Sequence, residues 1–183
     1  ARRCVIRDRC YYNQADEVEL FVNGKSQGVK RKDLDNLHVA WRVKFEPGTV
    51  KVIARESGKV VAEKEICTAG KPAEIRLTPD RSILTADGKD LCFVTVEVLD
   101  EKGNLCPDAD NLVNFTVQGN GFIAGVDNGN PVSMERFKDE KRKVFYGKCL
   151  VVIQNDGKPG KAKLTATSEG LRQAVLKISA EEL

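Results

Sequence analysis

Three runs decide the fold: Val94-Thr-Val-Glu-Val-Leu-Asp-Glu-Lys-Gly-Asn104, Leu112-Val-Asn-Phe-Thr-Val-Gln-Gly-Asn-Gly121 and Ile123-Ala-Gly-Val-Asp-Asn-Gly-Asn-Pro131. In the first, Val94, Val96 and Val98 fall on one side of an extended chain, with Thr95 and Glu97 on the other. That two-residue period marks a half-buried strand. All three runs close on Gly, Asn, Asp or Pro, residues suited to tight turns. Apolar alternation broken by turn formers at this spacing predicts a β-sandwich.

Working outward, the same pattern fills the chain. Strands are expected over residues 73–78, 82–86, 111–118, 122–126, 143–154, 161–167 and 171–179. In the 161–167 run, Ala162, Leu164 and Ala166 alternate with Lys161, Lys163 and Thr165. Upstream, Val18, Leu20 and Val22 share a face, and so do Val39, Trp41, Val43 and Phe45, and Val50, Val52 and Ala54. With strands at residues 4–12 and 60–67, they make a compact first sandwich. Asn23-Gly24-Lys25 and Ser57-Gly58-Lys59 are its tight turns, Asn-Gly being suited to a type I′ hairpin. Thr68-Ala-Gly-Lys-Pro72 interrupts the alternation and marks the boundary. The chain therefore reads as all-β, with two consecutive immunoglobulin-like sandwich domains at residues 1–69 and 70–183.

Composition removes several function classes. The 183 residues carry 30 basic and 27 acidic side chains, a net charge of +3, which gives no electrostatic footprint for nucleic acid or an anionic membrane. The basic cluster Lys30-Arg31-Lys32 is followed closely by Asp33 and Asp35 and reads as a solvated turn. No apolar run approaches the roughly 20 residues of a membrane helix. The opening Ala1-Arg-Arg-Cys-Val-Ile-Arg7 lacks a secretory apolar segment and reads as a start near a strand edge. Six cysteines stand far apart, and His38 is the single histidine, so a zinc site is not expected. Cys92 and Cys149 fall on strands that would take the second and sixth places of the later sandwich, where antibody domains carry their inter-sheet disulfide. The alternative is two small buried thiols packing as hydrophobes.

Catalytic chemistry finds little to use. His38 lies on the polar side of its strand, opposite Trp41, and none of the familiar nucleophile, metalloprotease or phosphate-loop motifs occurs. Glycoside cleavage needs two carboxyls facing across a cleft. Here the acids gather in turns, at Asp87, Asp90, Asp100, Asp108, Asp110, Asp139 and Asp156, where solvated residues belong. The most distinctive polar loop is Gly125-Val-Asp-Asn-Gly-Asn-Pro131. Its two or three side-chain oxygens fall short of the six to eight that calcium takes. Asp127, Asn128 and Asn130 would suit sugar hydroxyls or a domain contact, beside surface rings drawn from Tyr12, Phe137 and Tyr146. The competing reading is a turn held by its own side chain-to-backbone bonds. Asn114-Phe115-Thr116 matches a glycosylation sequon inside an expected strand. No catalytic, metal-binding or cofactor-binding residue is assigned.

Two segments carry a family resemblance. Ala15-Asp-Glu-Val-Glu-Leu-Phe-Val-Asn-Gly-Lys-Ser26 resembles a module that follows the catalytic barrel in glycoside hydrolase family 2 β-galactosidases. Thr68-Ala-Gly-Lys-Pro-Ala-Glu-Ile-Arg-Leu-Thr-Pro-Asp-Arg81, Asp90-Leu-Cys-Phe-Val-Thr-Val-Glu-Val-Leu-Asp100 and Asp127-Asn-Gly-Asn-Pro131 resemble the next C-terminal module of enzymes of the Bacteroides-like type. The resemblance implies a non-catalytic accessory region of a retaining galactosidase that uses two glutamates on a TIM barrel. Its implied partner is that barrel in the same parent chain, and a galactoside-containing glycan is a further candidate. Nucleic acid and membrane are not expected partners. The family also implies an exported, periplasmic parent. Two other classes stand beside this reading. One is a carbohydrate-binding module. The other is an adhesin-type repeat, suggested by the D-x-x-G-N turn at Asp100 to Asn104, although such arrays lack the first module.

Overall fold

The computed structural model describes residues 5–11, 15–31 and 38–182. Cys4, Tyr12, Lys32, Asp33 and Asp35 lie outside them. All regular elements of the described residues are strands, and they fall into two compact units, Ala1–Thr68 and Ala69–Leu183. The division comes one residue before the sequence boundary.

In the first unit, β1 (Val5–Tyr11) pairs antiparallel with β4 (His38–Lys44). A second sheet has the order β3-β2-β5-β6, from β2 (Glu17–Val22), β3 (Lys25–Lys30), β5 (Thr49–Glu56) and β6 (Lys59–Cys67). Val18, Leu20, Val22 and Ala54 from this sheet meet Val39, Trp41 and Val43 from β4, and alternation alone puts them there. Asn23 and Gly24 both take positive φ, 49° and 76°, the conformation of a type I′ turn. The turn returns the chain into β3, which sequence reading missed. Lys25-Ser-Gln-Gly-Val-Lys30 has no apolar period and is exposed along its length; the ladder to β2 holds it. Lys30 thus ends a strand instead of opening a turn, and its ammonium donates to the Ala40 carbonyl and lies over the Trp41 ring. Phe45 falls just past β4 and is exposed, against the expectation that it shares the core face.

The second unit stacks the sheet β12-β10-β14-β15-β8 on the sheet β11-β13-β9-β7. Its strands are β7 (Glu74–Pro79), β8 (Ile83–Thr85), β9 (Leu91–Leu99), β10 (Leu112–Gly119), β11 (Phe122–Asp127), β12 (Lys141–Lys143), β13 (Lys148–Gln154), β14 (Gly160–Thr167) and β15 (Ala174–Glu181). Val94, Val96 and Val98 of β9 and Val151 and Ile153 of β13 face Phe115, Leu164, Ala166 and Ile178 across the core. The expected strand over residues 143–154 is two. Tyr146 and Gly147 take φ of 50° and 74°, and the turn they form carries the chain from one sheet to the other. The last strand starts at Ala174, not residue 171.

Of the two readings of Cys92 and Cys149, the structure bears out the buried thiols and not the inter-sheet disulfide. Cys92 and Cys149 are free thiols, and β9 and β13 are neighbours in one sheet. Cys92 stands opposite Ile153 and Cys149 opposite Val96. Four residues of offset is about 13 Å along a strand, beyond bridging distance. Burial pushes the Cys92 thiol up to about 11 and the Cys149 thiol up to about 12, so both are neutral; Cys149 packs as a small hydrophobe, and the Cys92 thiol donates to the Arg81 carbonyl at 3.1 Å.

Among the described residues, three buried polar side chains each hold a loop. Asn155 donates to the Asn120 and Lys158 carbonyls and accepts from the Gly157 N–H. Asp100 is buried, not the solvated turn residue expected. It accepts from the N–H groups of Gly70, Lys102 and Asn104 and from the Asn104 amide. Arg142, 1% exposed, is the middle residue of Lys141-Arg142-Lys143. It donates to Asn128 Oδ1 at 3.0 Å, the Glu135 carbonyl at 3.1 Å and Asp127 Oδ1 at 3.3 Å, with its guanidinium 5.3 Å from the Phe137 ring centre. A planar fork bonded to several loop groups at once is a task lysine cannot take over.

Two outcomes follow. The Gly70 N–H, with its Asn104 and Lys102 partners, holds Asp100 down at about 2, below the ordinary carboxylate value near 4. Because the folded value is the lower one, its stabilisation is complete above about pH 4 and is lost as pH falls toward 2. Urea midpoints measured between about pH 5 and pH 2.5 should fall more steeply for the natural chain than for Asp100→Asn; equal slopes would refute the assignment. Arg142→Met should lower unfolding stability by about 2–4 kcal/mol through lost charge-assisted bonds. It should also speed tryptic cleavage after Arg136 and Lys138, and unchanged cleavage would show that Arg142 does not hold the loop.

Candidate functional site

The loop after β11 places the sequence candidates. Asp127 ends the strand, and its Oδ1 accepts from the N–H groups of Asn128 and Gly129 as well as from Arg142. Asn128 uses both ends of its amide: Oδ1 accepts from the Asn130 N–H and Arg142, and Nδ2 donates to the Lys143 carbonyl. Asn130 Oδ1 accepts from the Val132 N–H. Gly129 has φ of 69°, which completes the reversal. The turn is therefore built by side chain-to-backbone bonds, which leave Asp127 Oδ2 and Asn130 Nδ2 as the groups available for a ligand.

Beside the loop is a shallow hollow of about 200 Å³, bounded by Asp127, Asn128, Gly129, Thr95, Lys148 and Leu150. The structure brings Asp127 and Asn128 to it, whereas Asn130 turns toward the following segment. Phe137 and Tyr146 are exposed as expected, but neither ring lines the hollow. Phe137 lies against Arg142, while Tyr146 contacts Phe145 in the β12–β13 turn. A sugar platform needs rings beside the hydrogen-bonding groups, and this arrangement separates them.

No reactive constellation assembles elsewhere among the described residues. His38 opens β4 opposite Tyr11, whereas the nearby Cys10 stands opposite Val39 and packs on the core. Neighbouring strand residues point to opposite faces, so thiol and imidazole diverge. Burial also raises the Cys10 thiol above its ordinary value, away from a reactive thiolate. Asp127 and Glu135 both reach the same Arg142 guanidinium instead of facing each other across a cleft. Among the described residues no group of three His, Cys, Asp or Glu side chains could hold a metal ion, and no helix is long and apolar enough to cross a membrane. Arg142 is the residue that sequence reading missed. Its signal was available: in a two-residue period it falls on the same side as Val144, between two outward lysines.

Comparison with known proteins gives the context. Residues 75–177 match the model of "Glycoside hydrolase family 2 C-terminal domain 5", and residues 5–62 match a domain of unknown function, DUF4982. A curated relative, β-galactosidase BoGH2A of Bacteroides ovatus, is 99% identical over 95% of this chain, which spans 20% of that protein. Among solved structures, a glycosyl hydrolase family 2 member from Bacteroides cellulosilyticus is 34% identical with a TM-score of 0.85, covering 92% of this chain and 22% of its own. A β-glycosidase from Bacteroides vulgatus is 30% identical with a TM-score of 0.90, covering 97% of this chain and 23% of its own. The chain thus spans about a fifth of the length of the relatives it matches. It belongs to glycoside hydrolase family 2, within which it carries C-terminal domain 5 and the β-sandwich module before it.

Proposed function

We propose that this chain is the non-catalytic C-terminal accessory region of a β-galactosidase-type glycoside hydrolase whose parent polypeptide cleaves terminal β-galactosides. The observation that carries the reading is 99% identity to a β-galactosidase over a stretch that is only 20% of that enzyme's length. The chemistry of the described residues agrees with it. Retaining glycoside cleavage uses two carboxyls about 5 Å apart across a sugar-binding cleft. The loop acids here are instead committed to backbone N–H groups and to Arg142. In this reading residues 1–69 follow a TIM barrel that bears the two catalytic glutamates, and residues 70–183 form the terminal immunoglobulin-like sandwich. Asp127, Asn128 and Asn130 then serve a domain contact instead of a glycan, since most of their polar groups are used within the loop. Placement of the parent in the periplasm rests on the family resemblance.

The reading is tested with a chromogenic nitrophenyl β-galactoside. The complete polypeptide should turn it over, whereas these 183 residues alone should give the rate of a buffer blank. Turnover by the 183 residues that survives repurification would overturn the accessory role, and an inactive complete polypeptide would overturn the parent's activity.

A further inference from the structure

The two outer faces of the second unit differ in chemistry. On the β12-β10-β14-β15-β8 side, the outward rows are Leu112–Lys143, Lys141–Asn114–Thr167, Thr116–Thr165–Val175, Gln118–Lys163–Lys177 and Lys161–Ser179–Ile83. Its exposed apolar residues Leu112, Val175 and Ile83 stand apart from one another among polar neighbours, as on an ordinary wet face. On the other sheet the outward rows are Asp127–Leu150–Thr95–Thr78, Gly125–Val152–Phe93 and Phe122–Gln154–Leu91. Five of these ten residues are large and apolar, and they lie together on three adjacent strands, β11, β13 and β9. Phe93 is 43% and Phe122 47% exposed, while Leu91, Leu150 and Val152 are half-buried.

The sequence of β13 makes the same point. Its inward residues are Cys149, Val151 and Ile153 and its outward ones are Leu150 and Val152, so Cys149-Leu-Val-Val-Ile153 is apolar on both faces. Continuous apolar runs of this kind belong to strands covered on both sides, whereas one-sided strands alternate. One end of the patch is bordered by a fixed ionic row: Lys148 reaches Glu97 Oε1 at 2.8 Å and Arg76 reaches Glu97 Oε2. The Asp127–Asn128 hollow lies at the same end.

We propose that the outer face of the β11-β13-β9-β7 sheet is a docking surface, and that its occupant is the remainder of the same parent polypeptide. The proposal rests on the accessory reading above. Size selects this occupant over a second copy of the chain. Three strands about 4.8 Å apart and four residues of about 3.3 Å rise limit the patch to about 200 Å². A free-standing dimer of separate chains needs about 800 Å² on each partner. A covalently linked neighbour needs less, because linkage supplies an effective concentration in the millimolar range. About four-fifths of the near-identical relative lies outside this chain, so such a neighbour is available. The ionic row and the Asp127 loop then form a polar border along one end of an apolar centre, as polar groups border the core of a protein interface.

The test compares thiols introduced one at a time into the complete polypeptide at Phe93→Cys, Phe122→Cys and, as the control on the polar face, Val175→Cys. Val175 is 47% exposed, close to the other two, so the 183-residue structure alone predicts similar reactivity. Native-state maleimide labelling is followed site by site with peptide mass spectrometry, which separates each new thiol from the natural cysteines. F93C and F122C should label at least tenfold more slowly than V175C, and either variant carries the test if the other does not fold. Equal rates overturn the proposal. Protection that disappears on dilution, together with a dimer-to-monomer shift in sedimentation, also overturns it, because the occupant is then a second copy. A polypeptide that hydrolyses galactoside while F93C labels as fast as V175C removes the docking surface and leaves the accessory role. Protection at Phe93 in a complete polypeptide without galactosidase activity does the reverse.

Discussion

The second unit depends on one constraint: β9 and β13 must keep their two-residue period in register with each other. Cys149 opposes Val96, Val151 opposes Val94 and Ile153 opposes Cys92, so a slip of one residue would turn this whole inward set to the other side of the sheet. Phe115, Leu164 and Ile178 of the facing sheet then close a core whose members are almost all β-branched or small. Side chains of this kind have few rotamers to lose and pack well on a pleated surface. Polar groups enter that interior only where a loop must be fixed against it, as Asp100, Arg142 and Asn155 do.

Most of this was legible in the sequence because alternation is a local signal. Val94-Val96-Val98, Ala162-Leu164-Ala166, Val18-Leu20-Val22 and Val39-Trp41-Val43 all occupy the faces their spacing assigns. What escaped is what alternation does not encode. β3 has no apolar side to pattern; it exists because a type I′ turn delivers the chain to a free ladder edge. The break before β13 is set by backbone angles at Tyr146 and Gly147, and a tyrosine gives no hint of a positive φ. Asp100 and Arg142 carry charges that locally point to water, and only tertiary partners make their burial favourable. The sequence could not choose between a disulfide and buried thiols at Cys92 and Cys149, because the decision lies in which strands become neighbours.

The candidate loop shows the same division. Its residue types announced a turn and a cluster of oxygens, and both are there. Whether those oxygens face a ligand is a question of hydrogen-bond accounting, and most of them are consumed by the turn itself and by an arginine fifteen residues away from Asp127. A polar loop that satisfies its own groups is a rigid element, suited to presenting a shape to a neighbouring domain and poorly suited to gripping a sugar hydroxyl.

The far edge of the first unit has a consequence for solubility. β6 is a nine-residue strand with no ladder partner beyond β5 among the described residues, largely exposed, and such edges invite stray strands from other molecules. Its sequence, Lys-Val-Val-Ala-Glu-Lys-Glu-Ile-Cys, sets Lys59, Glu63, Lys64 and Glu65 among the apolar positions. A foreign strand lying alongside would have to strip water from several of these charges at once. The module can therefore stand among crowded neighbours with an open border and still resist fibre-like growth.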